Sequence, residues 1–357
     1  MVPTREFHMF HRGRGAAAVA LAVAAVLTLG ACGGSSGGTE EKGSAAGAAD
    51  KGKKAVAQGG KDFADAAKKT AAMGTDAKPG EWPRTVRHAM GTTELKAQPK
   101  RVVVLDVGEL DNVVSLGIKP VGLAPTEGSP ELPSYLKKDA GTPKNVGTIN
   151  NLNLEAIASL QPDLILGSQL RAADKYDELS KIAPTVFSIR PGFTWKENYL
   201  LNAAALDKTA EAKAKLAEYD TAIKKLGTDI GADKPTVSMV RYLPDGVIRL
   251  YANASFIGTV LKDAGIPRPK NQDVEDLATE VSAENIDQAD ADYIFTGVYG
   301  DAKATDKSRA QGNPLWKNLK AVKSGHAYDV PDETWYLGLG VTAAREVVAD
   351  LEKYLTK

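Results

Sequence analysis

The sequence predicts an α/β protein made of two similar lobes with one long helix between them. Three observations carry that expectation. Runs of β-branched residues alternate with short amphipathic stretches at the spacing of strand–helix–strand units. A block in the first half, Glu155-x-Ile157 followed by Asp163-Leu-Ile165, returns in the second half as Glu284-x-Ile286 followed by Asp292-Tyr-Ile294, with the same internal offsets. Recurrence of one supersecondary unit points to a repeated architecture. Between the halves, residues 209–231 are dominated by Ala, Lys and Glu, all strong helix formers, with no loop-like interruption.

At 357 residues, with 43% hydrophobic and 25% charged, the chain can bury one large core or two medium ones. Its formal net charge of zero argues against a nucleic-acid footprint or a polybasic membrane patch. The amino terminus has its own logic. Arg5, Arg12 and Arg14 flank an apolar run over residues 16–30. That run is shorter than the ~20 residues a membrane-spanning helix needs, but it suits the core of a signal peptide. It ends in Leu29-Gly30-Ala31-Cys32, which holds the single cysteine. The stretch resembles the lipobox of bacterial lipoproteins. The resemblance implies that residues 1–31 are removed and that Cys32 is acylated, anchoring the chain at the outer face of the cell membrane. Two acyl chains make a stable anchor. With no second cysteine, no intramolecular disulfide can form, and packing alone must hold the fold.

Residues 32–81 are rich in Gly, Ala, Ser, Lys and Asp and are expected to form a flexible tether, with transient helix over residues 62–72. The first lobe is expected over residues 82–207. It opens with a hairpin around Gly91, over residues 85–95, followed by the continuous run Val102-Val-Val-Leu105, typical of a buried parallel strand. A helix over residues 111–116 is stopped by Gly117, with Pro120 beyond it. A strand at 121–123, a helix at 154–160, a strand at 163–166, a helix at 175–182 and a strand at 185–189 follow, then an apolar-periodic segment at 195–206. The long helix occupies 208–231. In the second lobe, residues 232–357, strands at 236–240 and 247–251 pair across Pro244-Asp245-Gly246. Helices at 256–264, 284–289 and 314–319, strands at 293–295 and 326–330, and a terminal helix at 342–354 complete it.

Several motifs together resemble the siderophore-binding lipoproteins of ABC importers. They are Pro99-Lys-Arg-Val-Val-Val-Leu105, Leu152-Asn-Leu-Glu155, Gln161-Pro-Asp-Leu-Ile165, Ile182-Ala-Pro-Thr185, Asn313-Pro-Leu-Trp316 and Thr334-Trp-Tyr336. The resemblance covers residue 84 to the C-terminus and extends to actinobacterial ferrioxamine-binding lipoproteins. It implies a class III periplasmic-binding-protein-like fold, in which one long rigid helix joins the lobes and the ligand lies in a shallow cleft between them. It implies a monomeric, non-enzymatic protein that carries a ferric siderophore, of the trihydroxamate kind, to an ABC permease dimer. Haem, cobalamin, ferric citrate or a catecholate siderophore are alternative ligands on the same fold. Glu155 and Glu284 match the acidic positions with which the family docks its permease, although both could simply stabilise a helix N-terminus.

A saturated iron chelate needs no metal ligand or other cofactor from the protein. It needs aromatic surface and cationic donors. Of the four histidines, His8 and His11 fall in the signal peptide, and His88 and His326 are far apart, so no metal site is expected. Candidate ligand contacts are residues at strand ends and loops. They are Arg171 and Arg190, each just past a strand, and Arg249, on the strand face opposite Ile248 and Leu250, with Tyr251 beside it. Trp335 matches a pocket-lining position of the family, Tyr299 follows a strand, and Trp195 opens its helix. Each of these has a plainer reading as a solvated loop residue or as core, and Trp316 reads as core. A hydrolase on an α/β scaffold is disfavoured, because the folded region has no Gly-x-Ser-x-Gly elbow, cysteine nucleophile or Gly-x-Gly-x-x-Gly loop.

Overall fold

The computed structural model describes residues 65–356. The signal peptide, Cys32 and most of the expected tether lie outside the described residues. Folding begins earlier than Trp82. The helix Ala66–Ala71 buries Ala66 and Thr70, and Gly74 pairs through its backbone with Arg87 of the hairpin Arg84–His88/Gly91–Leu95. The tether assigned to 32–81 therefore stops by Asp65, because an alanine-rich stretch that is marginal alone is stabilised by packing.

Each lobe is built on its own five-stranded sheet, and the two sheets share one strand order. In the first, Lys144–Asn145, Gly122–Leu123, Val102–Val104, Leu164–Ser168 and Thr185–Ser188 lie side by side, all parallel. In the second the order is Ala278–Val281, Ile248–Tyr251, Val237–Tyr242, Tyr293–Val298 and Ala327–Asp329. Four of these run the same way. Only Ile248–Tyr251, turned back by the hairpin over Asp245 and Gly246, both at positive φ, runs against them, so the two sheets share strand order and differ in the direction of one strand.

Both faces of each sheet are buried, which is why the strands read as continuous apolar runs. Alternate residues feed different clusters: Val103, Ile165 and Phe187 pack outward in the first lobe, and Val240, Leu250 and Ile294 outward in the second. The inner faces, with Val102, Val104, Leu166, Met239, Tyr251 and Phe295, join one apolar cluster that also takes in Tyr219, Ile223 and Leu226 of the helix Thr209–Asp229. Two details depart from the expectation. The helix placed at 111–116 begins at Val107, because the Asp106 side chain accepts from the Val107 amide at 2.7 Å and caps it. The segment at 284–289 is a 3₁₀ helix, Ala283–Ala289, interrupted at Asn285.

The long helix is held from two sides. Trp195, at the start of the helix Trp195–Leu206, stacks edge-on against Tyr219 at 5.1 Å and against Phe256 of the second lobe at 5.9 Å, and its indole donates to Thr259 at 2.9 Å. Tyr219 and Lys196 both reach Asp263, at 2.8 and 2.7 Å. On the other side, Asp111 of the first lobe accepts from the Thr342 and Ala343 amides, both at 3.0 Å, at the N-terminus of the helix Val341–Leu355. Trp195 is thus a junction residue and not a cleft wall. Truncation there should open a cavity touching both lobes and the connecting helix. Trp195→Ala is expected to lower stability by about 3–5 kcal/mol in denaturant unfolding, and a loss below 1 kcal/mol would contradict the junction.

Candidate ligand cleft

In an α/β sheet the carboxyl ends of parallel strands open a crevice where ligands bind. The polar residues of both lobes collect at those ends. Arg171 follows Leu164–Ser168 and pairs with Asp106, the cap just after Val102–Val104, at 3.1 Å. Arg190 follows Thr185–Ser188. It is buried, its Nε donates to the Pro191 carbonyl at 3.1 Å, and its guanidinium lies 4.8 Å from the Phe193 ring. Burial pushes the Arg190 pKa down to about 10, with the positive charge of Arg171 adding to the effect and Asp276 of the second lobe opposing it.

Arg241, near the end of Val237–Tyr242, answers from the second lobe. Its Nε donates to Asp332 at 2.7 Å in a two-point ion pair, and Nη1 donates to the Tyr251 hydroxyl at 3.0 Å. Burial pulls the pKa of this guanidinium down, but the charge and hydrogen bonds of Asp332 and Tyr251 outweigh it and raise it. Tyr299 stands 4.8 Å and Tyr336 5.5 Å from it, within cation–π range. Tyr336 can lie there because Gly297 has no side chain, since a Cβ would come within 2.5 Å of the ring. Burial raises the Tyr299 pKa, and the charges of Arg241 and Arg171 both act on its phenol.

Arg249 is the direct cross-strand neighbour of Arg241, on the face away from Ile248 and Leu250 as expected. Two facing cations repel, and each has its own anion. Arg249 holds Glu280 at 2.9 Å on the next strand, so it braces the sheet edge. Trp335 is not on the cleft. It is fully buried, packs on Phe295 at 4.8 Å, and donates to Asp350 of the terminal helix at 3.0 Å. Its neighbour Tyr336 is the residue that faces Arg241. Trp316 lies in the outer core of the second lobe.

Sequence reasoning missed Arg241, Asp106 and Glu109. The signal for Arg241 was present, since a cation ending a central parallel strand follows the same rule that singled out Arg190. Glu109 sits one turn into the helix that Asp106 caps. Burial, and then the charge of Asp106, drive its pKa from an ordinary 4.5 to about 8. Burial likewise pushes Asp111 up to about 6. His88 is driven down to about 4 by burial and reaches Thr93 at 3.0 Å. Among the described residues no cluster of His, Cys, Asp and Glu is arranged to hold a metal ion.

Glu155 and Glu284 are both exposed, each at the start of the short helix that precedes the fourth strand of its sheet. Asn153 caps the first of these helices, accepting from Ala156 at 2.9 Å. Glu284 pairs with Arg309, and its pKa is lowered, chiefly by its own backbone amide.

Two lobes on separate sheets, one connecting helix and a crevice at the strand ends define a class III substrate-binding protein, which binds and does not catalyse. The chain belongs to the periplasmic binding protein family, whose sequence pattern it matches over residues 102–334. It is 40% identical over 288 residues to the probable siderophore-binding lipoprotein YfiY of Bacillus subtilis, covering 77% of this chain and 88% of that one. It is 33% identical to the Fe(3+)-citrate-binding protein YfmC of Bacillus subtilis, over 76% of this chain and 85% of that one. Among solved structures, Staphylococcus aureus SirA complexed with staphyloferrin B superposes with a TM-score of 0.68 at 34% identity, covering 76% of this chain and 98% of SirA.

The raised Glu109 pKa sets a pH dependence. The group binds more protons folded than unfolded, so its protonated form contributes stability that is present below pH 4.5 and lost as pH rises through about 8. At 1.36 kcal/mol per unit the full effect is on the order of a few kcal/mol. Glu109→Gln should melt above the parent at pH 8 and close to it at pH 5. Parallel melting curves at both pH values would refute the assignment.

Proposed function

We propose that this protein is a lipid-anchored, monomeric binding protein on the outer face of the cell membrane. It captures a ferric siderophore in the interlobe cleft and delivers it to an ABC importer. One observation carries the reading: Arg171 and Arg190 of the first lobe and Arg241 of the second all lie at the carboxyl ends of parallel strands, with the Tyr299 ring against Arg241. Iron travels as cargo already wrapped by its chelator, and guanidiniums backed by aromatic rings suit the outward oxygens of such a complex. The names of YfiY, YfmC and SirA's ligand support iron-chelate transport.

The same observation favours an anionic chelate, carrying carboxylate or catecholate oxygens, over the trihydroxamate suggested by sequence resemblance. A ferrioxamine-type complex presents no net negative charge to the guanidiniums at the strand ends. Haem and cobalamin gain no specific support. Delivery rests on Glu155 and Glu284, exposed at equivalent places on the two lobes, as the carboxylates that meet cations of the permease. The anchor rests on Cys32.

Two measurements test this reading. Intrinsic fluorescence titrated with ferric citrate, a ferric catecholate and ferrioxamine should rank the anionic complexes tighter. Arg241→Gln should weaken the best ligand by roughly ten- to a hundredfold, as expected for one charge-assisted hydrogen-bonding group. Tightest binding of ferrioxamine would reverse the ligand class. The double variant Glu155→Ala, Glu284→Ala should keep ligand affinity and lose iron uptake in cells, and retained uptake would remove these residues from docking.

A further inference from the structure

After the strand Gly122–Leu123 the chain does not return directly to the first lobe but crosses to the second. It makes a tight turn, in which the Ser129 amide donates to the Thr126 carbonyl at 3.1 Å. Glu127 fastens the turn to the first lobe by accepting from the Thr148 hydroxyl at 2.6 Å and the Asn150 amide at 3.3 Å. The next contacts belong to the other lobe. The Gly128 amide donates to the Tyr299 hydroxyl at 3.0 Å, the Ser134 amide and hydroxyl donate to Glu333 (the amide at 3.2 Å), and the Tyr135 hydroxyl donates to the Gly338 carbonyl at 3.2 Å. The segment is a strap across one end of the cleft.

Its contact with Tyr299 depends on glycine. A Cβ on Gly128 would stand 2.4 Å from the tyrosine ring, well inside van der Waals contact, so any larger residue forces ring and strap apart. The same ring lies against Arg241 at 4.8 Å, and its phenol feels the charges of both Arg171 and Glu127. Tyr299 thus links Arg241 of its own lobe to the strap from the first lobe.

We propose that Gly128 and Tyr299 form a selectivity gate, closed by one hydrogen bond and a close backbone-to-ring contact, which a chelate must part in order to reach Arg241. This rests on the ferric-chelate reading above. The gate restricts both the rate of entry and the bulk of the chelate admitted. The remaining strap bonds, at Ser134 and Tyr135, hold the hinge side of the gate in place when Tyr299 moves.

The test compares the full-length protein with Tyr299→Phe, which loses the hydrogen bond and keeps the ring, with Tyr299→Ala, which loses both, and with Gly128→Ala, which pushes the ring away. Stopped-flow fluorescence with a graded set of ferric citrate, staphyloferrin-type and bulkier catecholate chelates reads the association rates. Amide exchange across residues 126–130 reads the gate without ligand. The gate predicts faster exchange in all three variants. It predicts association several-fold faster in Tyr299→Phe and faster again in Tyr299→Ala, and at least tenfold better binding of the bulkiest chelate by Tyr299→Ala. Faster exchange with unchanged association rates and an unchanged ligand range would overturn the gate and leave the binding function standing. A parent protein that binds none of the chelates would overturn the ferric reading itself.

Discussion

The packing of Tyr219 in the middle of the helix Thr209–Asp229 constrains everything that happens in the cleft. Its ring meets Trp195 of the first lobe, and its hydroxyl meets Asp263 of the second, so one side chain fixes the distance of both lobes from the rod that joins them. Because the inner faces of both sheets drain into the same apolar cluster, the lobes cannot separate without exposing that cluster to water. A continuous helix bends little, in contrast to a pair of loops. The cleft is therefore largely preformed, and motion is confined to smaller parts such as the strap.

A preformed cleft suits the chemistry proposed for it. Guanidiniums fixed by their own carboxylates and tyrosines lose little side-chain entropy when a ligand arrives, which is how preorganised charge gains affinity. Arg241 shows the arrangement most fully, with an ion pair to Asp332, a tyrosine hydroxyl and two flanking rings. Fixing charges inside the protein has a cost, visible in the lowered pKa of Arg190 and the raised pKa of Glu109. Neutral Glu109 spares the cleft a further anion beside the Asp106–Arg171 pair.

The two lobes share strand order and differ in the direction of one strand, and this asymmetry matters at the site. In the first lobe every strand is parallel, and Arg171 and Arg190 follow two of the strand ends. In the second, the hairpin over Asp245 and Gly246 brings Arg249 beside Arg241 on one face. The second cation is absorbed by Glu280, so the hairpin thickens the wall and does not add a free contact.

The sequence by itself determined the α/β class, the two lobes, the long helix and the inner strands of both sheets, because burial on both sheet faces writes itself as unbroken apolar runs and glycine or proline marks the ends; the exposed or half-buried strands Lys144–Asn145, Gly147–Thr148, Asn151–Leu152 and Ala278–Val281 left no such run. It also singled out Arg171 and Arg190, since a cation just past a strand is visible in one dimension. Tertiary structure alone decided which aromatics stand beside Arg241 and which are core. Trp335 and Tyr336 are adjacent in the chain, yet one is bonded into the core by Asp350 and the other turns to Arg241 through the gap left by Gly297. Trp195 and Gly128 acquire their roles from partners in the opposite lobe, and local pattern carries no record of contacts made across such sequence distances.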